Sequence, residues 1–162
     1  MDAEQRGYLQ KRYRTSDFAS RGKRSHGVIK DFNFDGSEIP RWKMQRIRRD
    51  QRARPPVIHS IWSQGDSTDQ LLAIDVFECS SVKAAHDQLI EAIGNMESDA
   101  LNRRSDKGSP GEIAVGLGDT MILFSRSNVV ALIRNAGPTV VPVDEVARKL
   151  DALLVRQIQT KR

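Results

Sequence analysis

Histidine is the first residue to consider for proton transfer or metal binding, because imidazole titrates near neutrality and is the commonest metal ligand. His26, His59 and His86 fall in three separate regions, and none lies three or four residues from another histidine or from Cys79. A locally built zinc site needs that spacing, so no metal is expected. His86 stands with Asp87 and Glu91, a combination that solvated helix faces carry routinely. Cys79 is the sole cysteine; an internal disulfide is excluded, and a small buried apolar side chain is the expectation. Gly116-Leu117-Gly118-Asp119 lacks the third glycine of a nucleotide loop. It also leads into a strand rather than a helix, so its amides would not gather at a helix dipole. Neither a GxSxG elbow nor an HExxH pair occurs. The sequence assigns no catalytic, metal-binding or cofactor-binding residue, and the chain is not expected to be an enzyme.

Binding chemistry is better represented, and it is cationic. Residues 1–56 carry 15 Lys and Arg against 7 Asp and Glu, a balance of +8, while residues 57–162 carry 11 against 14, a balance of −3. A basic leading segment joined to a mildly acidic body follows. Lys11, Arg12, Arg14, Arg21, Lys23 and Arg24 are interleaved with Tyr8, Tyr13 and Phe18, a mixture able to neutralise phosphates and stack on bases. Arg46, Arg48, Arg49, Arg52 and Arg54 form a second cluster. Arg103, Arg104 and Lys107 make a long polar loop locally basic. Arg126 and Asn128 occupy the tip of a hairpin, where turn chemistry is one account of them and the mouth of a recess between sheet and helix is the other. Arg103, Arg104, Lys107, Arg126 and Asn128 are the candidate binding residues. Lys11, Arg12, Arg14, Arg21, Lys23, Arg24, Arg46, Arg48 and Arg49 are the candidate nucleic-acid contacts.

The elements that must position these groups centre on residues 112–134, EIAVGLGDTMILFSRSNVVALIR. Two apolar runs, at 121–124 and 129–133, flank the polar turn 125–128 and predict a strand pair. Both faces of these strands are apolar, so the sheet must be covered on both. The amphipathic segments 82–96 and 143–158 supply the covers. Ser80 and Ser81 offer N-caps to the first, and Asp144 and Glu145 suit the first turn of the second. Residues 57–63 and 71–79 predict two further strands, antiparallel across a turn built on Gly65 and Asp66. Asp75 interrupts the second of them and must reach the sheet margin or find a donor. Phe32 and Phe34, then Trp42 and Met44, sit at near-alternating positions and predict an edge hairpin within 26–54. The polar stretch 97–111 reads as a loop.

Residues 1–25 are poor in apolar side chains and read as a basic arm, disordered or dependent on a partner. Residues 26–158 then form a single domain. The fold class expected is α+β: an antiparallel sheet of about five or six strands packed with two helices, in the order strands, helix, strands, helix. No run approaches the ~20 apolar residues of a membrane span. The amino terminus has no apolar centre of the secretory kind, so the chain as it stands is expected in the cytoplasm, or in the cell envelope if a signal has been removed.

The order Gly118-Asp119, an apolar strand ending Phe124-Ser125-Arg126-Ser127-Asn128, a valine-rich strand and the closing segment Val143 to Asp151 resembles the carboxy-terminal half of small bacterial sensor-like and lipoprotein domains. The resemblance spans residues 116–154. It implies an α+β sandwich similar to the Mog1/PsbP-like fold, acting as a non-enzymatic binding or accessory module. The function expected is therefore recognition of a protein or small ligand, with a protein partner or homo-oligomer as the assembly. Nucleic-acid binding through the basic leading segment is the alternative.

Overall fold

The computed structural model describes residues 1–22, 27–104 and 107–160. Seven strands form one antiparallel sheet: β1 (Trp42–Asp50), β2 (Val57–Gln64), β3 (Leu71–Glu78), β4 (Asn102–Arg104), β5 (Ile113–Leu117), β6 (Met121–Arg126) and β7 (Val129–Asn135). Their spatial order is β1-β2-β3-β7-β6-β5-β4. Four α-helices accompany them among the described residues: α1 (Ala3–Arg12), α2 (Phe18–Gly22), α3 (Val82–Asn95) and α4 (Asp144–Thr160). The α+β character and the antiparallel sheet agree with the sequence reading, but its five or six strands and two helices are too few.

The strands named from apolar runs stand where they were expected. β6 and β7 pair from Met121↔Arg134 to Arg126↔Val129, and β2 pairs with β3 from Val57↔Phe77 to Ser63↔Leu71. Ile122, Leu123, Phe124, Val129, Val130, Ala131 and Ile133 are all inaccessible to solvent. Each face of this pair lies in a separate core, as apolar residues on both sides of a strand require.

On the first face, Ile58, Trp62, Leu72, Ile74, Ile122, Phe124 and Ile133 pack under Val143, Val146, Ala147, Leu150 and Leu154 of α4. The cover is completed by residues 27–41, through Ile29, Phe32, Phe34 and Ile39. The edge hairpin expected within 26–54 does not form there: 27–41 contains no strand, and β1 pairs with β2 instead. The alternation of Phe32 and Phe34 has a different origin. Their rings stack edge-on at 5.0 Å, and Phe34 meets Trp62 in the same way at 5.3 Å. Backbone donors of this segment are satisfied by side chains rather than by a neighbouring strand. Ile29 N–H donates to Asn128 Oδ1 at 2.7 Å, Phe32 N–H to Glu78 Oε1 at 2.7 Å, and Asp35 and Gly36 N–H to the Glu38 carboxylate.

On the second face, α3 lies over β5, β6 and β7. Ala85, Leu89, Ile90 and Ile93 meet Ile113, Val115, Leu123, Val130 and Leu132. The Ser81 hydroxyl caps this helix by accepting from Ala84 N–H at 3.0 Å. Residues 1–22 join the same core instead of forming a disordered or partner-dependent arm. Asp2 caps α1 through Gln5 N–H, and Leu9, Tyr13 and Phe18 are buried against α3. Three buried side chains in a polar stretch leave little trace in composition, yet they suffice to seat it. Two strands were not named by the sequence reading: β5, which precedes the predicted strand pair, and β4, which is three polar residues long. It is held by pairing with β5 from Asn102↔Gly116 to Arg104↔Ala114, and polar residues at a sheet edge carry no hydrophobic signature.

Phe18 is 3% exposed, so Phe18→Ala should lower the stability of the whole chain by about 3 kcal/mol, within the usual range for a buried aromatic ring. Urea denaturation checks this. A midpoint equal to that of the unsubstituted chain would show that residues 1–22 add nothing to the fold.

Candidate functional site

The two cores do not extend equally across the sheet. The second-face core contains no residue of β1 or β2, so that face is left without a helical cover from β1 to β3. The pairing register puts Lys43, Arg46 and Arg48 of β1 on it, opposite Ser63, Ile61 and His59 of β2. Those are opposite Leu71, Ala73 and Asp75 of β3, and Ala73 is opposite Arg134 of β7. Gln45, the extra residue at a bulge between Met44 and Arg46, donates to the Ser63 hydroxyl on the same side at 2.7 Å.

Among the described residues, two carboxylates lie on this half-face: Asp50 at the end of β1, opposite Val57 and accepting from Arg52 and Ala53 N–H, and, deep within it, Asp75, which finds the donors its position demands. Its Oδ1 lies 2.7 Å from His59 Nδ1, and its Oδ2 lies 3.8 Å from Arg134. The Asp75 side chain is 10% exposed while His59 keeps 34% and Arg134 55%. A carboxylate is thus held under two cationic or protonatable groups that face water. Lys43 pairs with the exposed Asp66 at 3.6 Å, a contact worth little at a solvated surface. Arg46 and Arg48 have exposed side chains, and no ion pair is formed by either among the described residues. The half-face is consequently basic. A histidine oriented by an aspartate can also serve as a base. Here no hydroxyl or thiol among the described residues hydrogen-bonds His59, and the Ser63 hydroxyl, four residues along the same strand, is committed to Gly65 C=O and Gln45.

The residues singled out from sequence are dispersed by the fold, and several of them hold it together. Asn128 is 0% exposed. Its Nδ2 donates to Ile29 C=O at 2.7 Å and to Cys79 C=O at 2.8 Å, and its Oδ1 accepts from Ile29 N–H. It joins the β6–β7 turn to residues 27–30 and to the end of β3. The left-handed position of that turn belongs to Ser127, at φ +54°. Arg126 makes a two-point contact with Asp151 of α4, at 2.7 and 2.9 Å, which with the charges of Asp151 and Glu112 holds its pKa above the ordinary guanidinium value. Arg103 has a side chain 8% exposed. It donates to Tyr13 and Arg14 C=O, pairs with Asp17 at 2.8 Å and lies 5.3 Å over the Phe18 ring. Its role is to fasten the leading helices. Arg104 crosses β5 over Gly116, where a side chain would collide with its guanidinium, and donates to Gly118 C=O. Lys107 is exposed.

Among the nucleic-acid candidates, Arg12 donates to Asp99 C=O, and Lys11, Arg14 and Arg21 lie on the leading helices and the turn between them. Lys23 and Arg24 fall outside the described residues, as does His26. Arg46 and Arg48 belong to the uncovered half-face, whereas Arg49 points to the opposite side and donates to Asn33 Oδ1 at 2.7 Å. Arg21 and Arg126 come together, with Ser20, Gly111 and Glu112, around a shallow cleft of about 370 Å³. His59 and Asp75 were noted from sequence only singly, as an isolated histidine and as an acid interrupting a strand, and Arg134 was not singled out. The only available signal was register: once 57–63 and 71–79 pair across a turn, His59 and Asp75 fall opposite each other, but the turn length had to be known.

The other two chemically versatile groups are buried. Cys79 is enclosed, and burial, reinforced by the charge of Glu78, pushes its thiol up to about 11. His86 on α3 meets the edge of Phe18 at 5.5 Å. Burial holds its pKa below the ordinary imidazole value, against the pull of Glu112 and Asp87. Among the described residues, no group of three or more His, Cys, Asp or Glu is placed to hold a metal ion. No helix of the described residues is long and apolar enough to cross a membrane. The chain matches no protein-family model, no curated protein and no solved structure.

Two outcomes follow. Asn128→Ala strands a buried donor on Ile29 and acceptors on Ile29 and Cys79, so it should cost about 3 kcal/mol at ~1–3 kcal/mol per unsatisfied group; an unchanged denaturation midpoint would return Asn128 to a purely binding role. For His86, the unfolded chain takes up a proton near pH ~6.5 and the folded chain resists it. Its contribution is therefore fully present above that pH and is lost as pH falls toward the lowered folded value. His86→Leu should flatten the stability profile in that window; an identical slope in both proteins would contradict the assignment.

Proposed function

We propose that the protein is a non-catalytic binding module that recognises an acidic protein partner through the uncovered half-face of its sheet. The observation that carries this reading is the set Arg46, Arg48, His59 and Arg134, gathered from three strands around the buried carboxylate of Asp75, with Asp50 as the one further acid of these strands on that side, at the end of β1. Sheets with one face open to water usually present mixed polar residues. A surface on which one sign of charge predominates raises the local concentration of opposite charge and speeds its capture. Ile61 lies between Arg46 and Ala73 in the same register and supplies an apolar centre within the charged rim, the usual anatomy of a protein interface. The resemblance of residues 116–154 to sensor-like and lipoprotein domains supports an accessory, non-enzymatic role of the same kind.

The nucleic-acid reading keeps its cations but has fewer rings to offer. Of the three aromatics interleaved with the leading basic residues, Tyr13 and Phe18 are buried and only Tyr8 is exposed. Base stacking on a single-stranded partner needs accessible faces, so the leading segment supports phosphate contact more than base contact.

Poly-L-glutamate is a suitable probe. The chain should bind it at low salt, and the double substitution Arg46→Glu and Arg48→Glu should weaken binding by at least about tenfold, as expected when an interface meets like charge. The double substitution Lys11→Glu and Arg12→Glu on α1 should leave it within about twofold, since exposed charges distant from a site are screened. Isothermal titration measures both. Failure to bind, or equal loss from both variants, would overturn the reading.

A further inference from the structure

The uncovered half-face ends at β1, and the outer side of β1 is unoccupied as well. β1 pairs with β2 alone; on its other side Trp42 N–H, at its first residue, donates to Ile39 C=O, and among the described residues no backbone hydrogen bond reaches residues 43–50 there. At nine residues it is three times the length of β4, the strand at the opposite margin. An edge of that length presents a row of free N–H and C=O groups, which is a template for another strand.

The side chains flanking this edge restrict what can add to it. Beyond the bulge, Arg46 and Arg48 stand on the open half-face and Ile47, half-buried, stands on the other side. Arg49 shares the side of Ile47 but is already engaged by Asn33 and Phe34 C=O. A second copy of this chain pairing β1 with β1 would bring Lys43, Arg46 and Arg48 together with their copies on one face with only Asp50 to offset them, and like charges directly across a strand pair are destabilising. A strand with carboxylates on that face and an apolar residue on the other would gain both cross-strand ion pairs and cover for Ile47.

We propose that β1 accepts an eighth strand from the acidic partner: an extended segment alternating carboxylate, apolar and carboxylate residues, its acids against Arg46 and Arg48 and its apolar residue against Ile47. This rests on the half-face being the recognition surface and adds how the partner is held, with backbone hydrogen bonds supplying affinity and alternate side chains supplying specificity. Acids from that segment would continue the row that runs from Asp75 through His59 to Arg48, extending the half-face rather than opening a separate site.

The test uses the full chain and a blocked heptapeptide, SEVEVES, beside its rearrangement SEEEVVS and an SEVEVES methylated at alternate amide nitrogens. Dissociation constants and amide exchange of residues 46–50 are read by nuclear magnetic resonance. SEVEVES should slow exchange at alternate amides of that stretch and bind at least about tenfold more tightly than SEEEVVS, a difference expected when register matters. Methylation of its pairing edge should abolish the protection. Equal binding of SEVEVES and SEEEVVS without protection of 46–50 would overturn strand addition while leaving the half-face reading intact. Loss of all binding, poly-L-glutamate included, would overturn both. Protection of 46–50 in the chain alone, growing with its concentration, would assign the edge to a second copy and overturn the proposal. So would a single-stranded oligonucleotide that binds through Arg46 and Arg48 while SEVEVES does not.

Discussion

The structure depends on an imbalance of cover. The middle strands of the sheet are apolar on both faces, so each face must be sealed from water. On the first face, α4 and residues 27–41 reach from β5 to β1. On the second, α3 with α1 and α2 reach only from β4 to the end of β3, where Phe77 and Cys79 close the core. Among the described residues there is no further apolar helix to spread over β1 and β2, and the remainder is managed by a change in the composition of the strands. Beyond Leu132 the second face turns to Arg134, then Asp75, His59, Arg48 and Arg46. The helical cover stops, and charge begins, within one strand width, although Val57, Ser63, Ala73 and Asp75 stay buried among their neighbours on the sheet.

Several side chains with the appearance of binding residues maintain that arrangement. Asn128 gathers Ile29 and Cys79 at the β6–β7 turn, and Arg126 anchors the same hairpin to α4 through Asp151. Arg103 bonds the carbonyls at the end of α1 and stacks on Phe18, so the leading helices are seated by a cation reaching out from the short edge strand β4. These contacts are buried or half-buried and hydrogen-bonded, which is how polar groups are tolerated inside a protein. They spend their donors on the fold and leave few for a ligand. Arg46 and Arg48 are in the opposite situation, exposed and without ion-pair partners among the described residues.

How much of this was legible in the sequence follows from where the signal lies. Ile122 to Phe124, Val129 to Ile133, the Ser81 cap and the stripe of α4 all report themselves through apolar periodicity, and so the central strands and both main helices could be placed. β4 could not, because Asn102-Arg103-Arg104 is polar and paired only through its backbone. The leading helices were hidden for a related reason: Leu9, Tyr13 and Phe18 are three anchors in a basic stretch, and nothing local distinguishes them from solvated aromatics. Residues 27–41 misled in the other direction, since the alternation of Phe32 and Phe34 comes from an aromatic cluster with Trp62 rather than from a strand. The candidate surface itself needed tertiary information. Arg46 and Arg48 were visible as part of a charge run, but their separation from Arg49 depends on the bulge in β1, and the approach of His59, Asp75 and Arg134 depends on register across three strands.

The central claim is that no helix covers the second face from β1 to β3, so that Ile61 and the cations around it meet water, while the same face is sealed from β7 to β5. Solvent paramagnetic relaxation of methyl groups in the free chain measures this directly. The account predicts strong relaxation at Ile61 and weak relaxation at Leu123, Val130 and Leu89. Protection of Ile61 equal to that of Leu123 would contradict it.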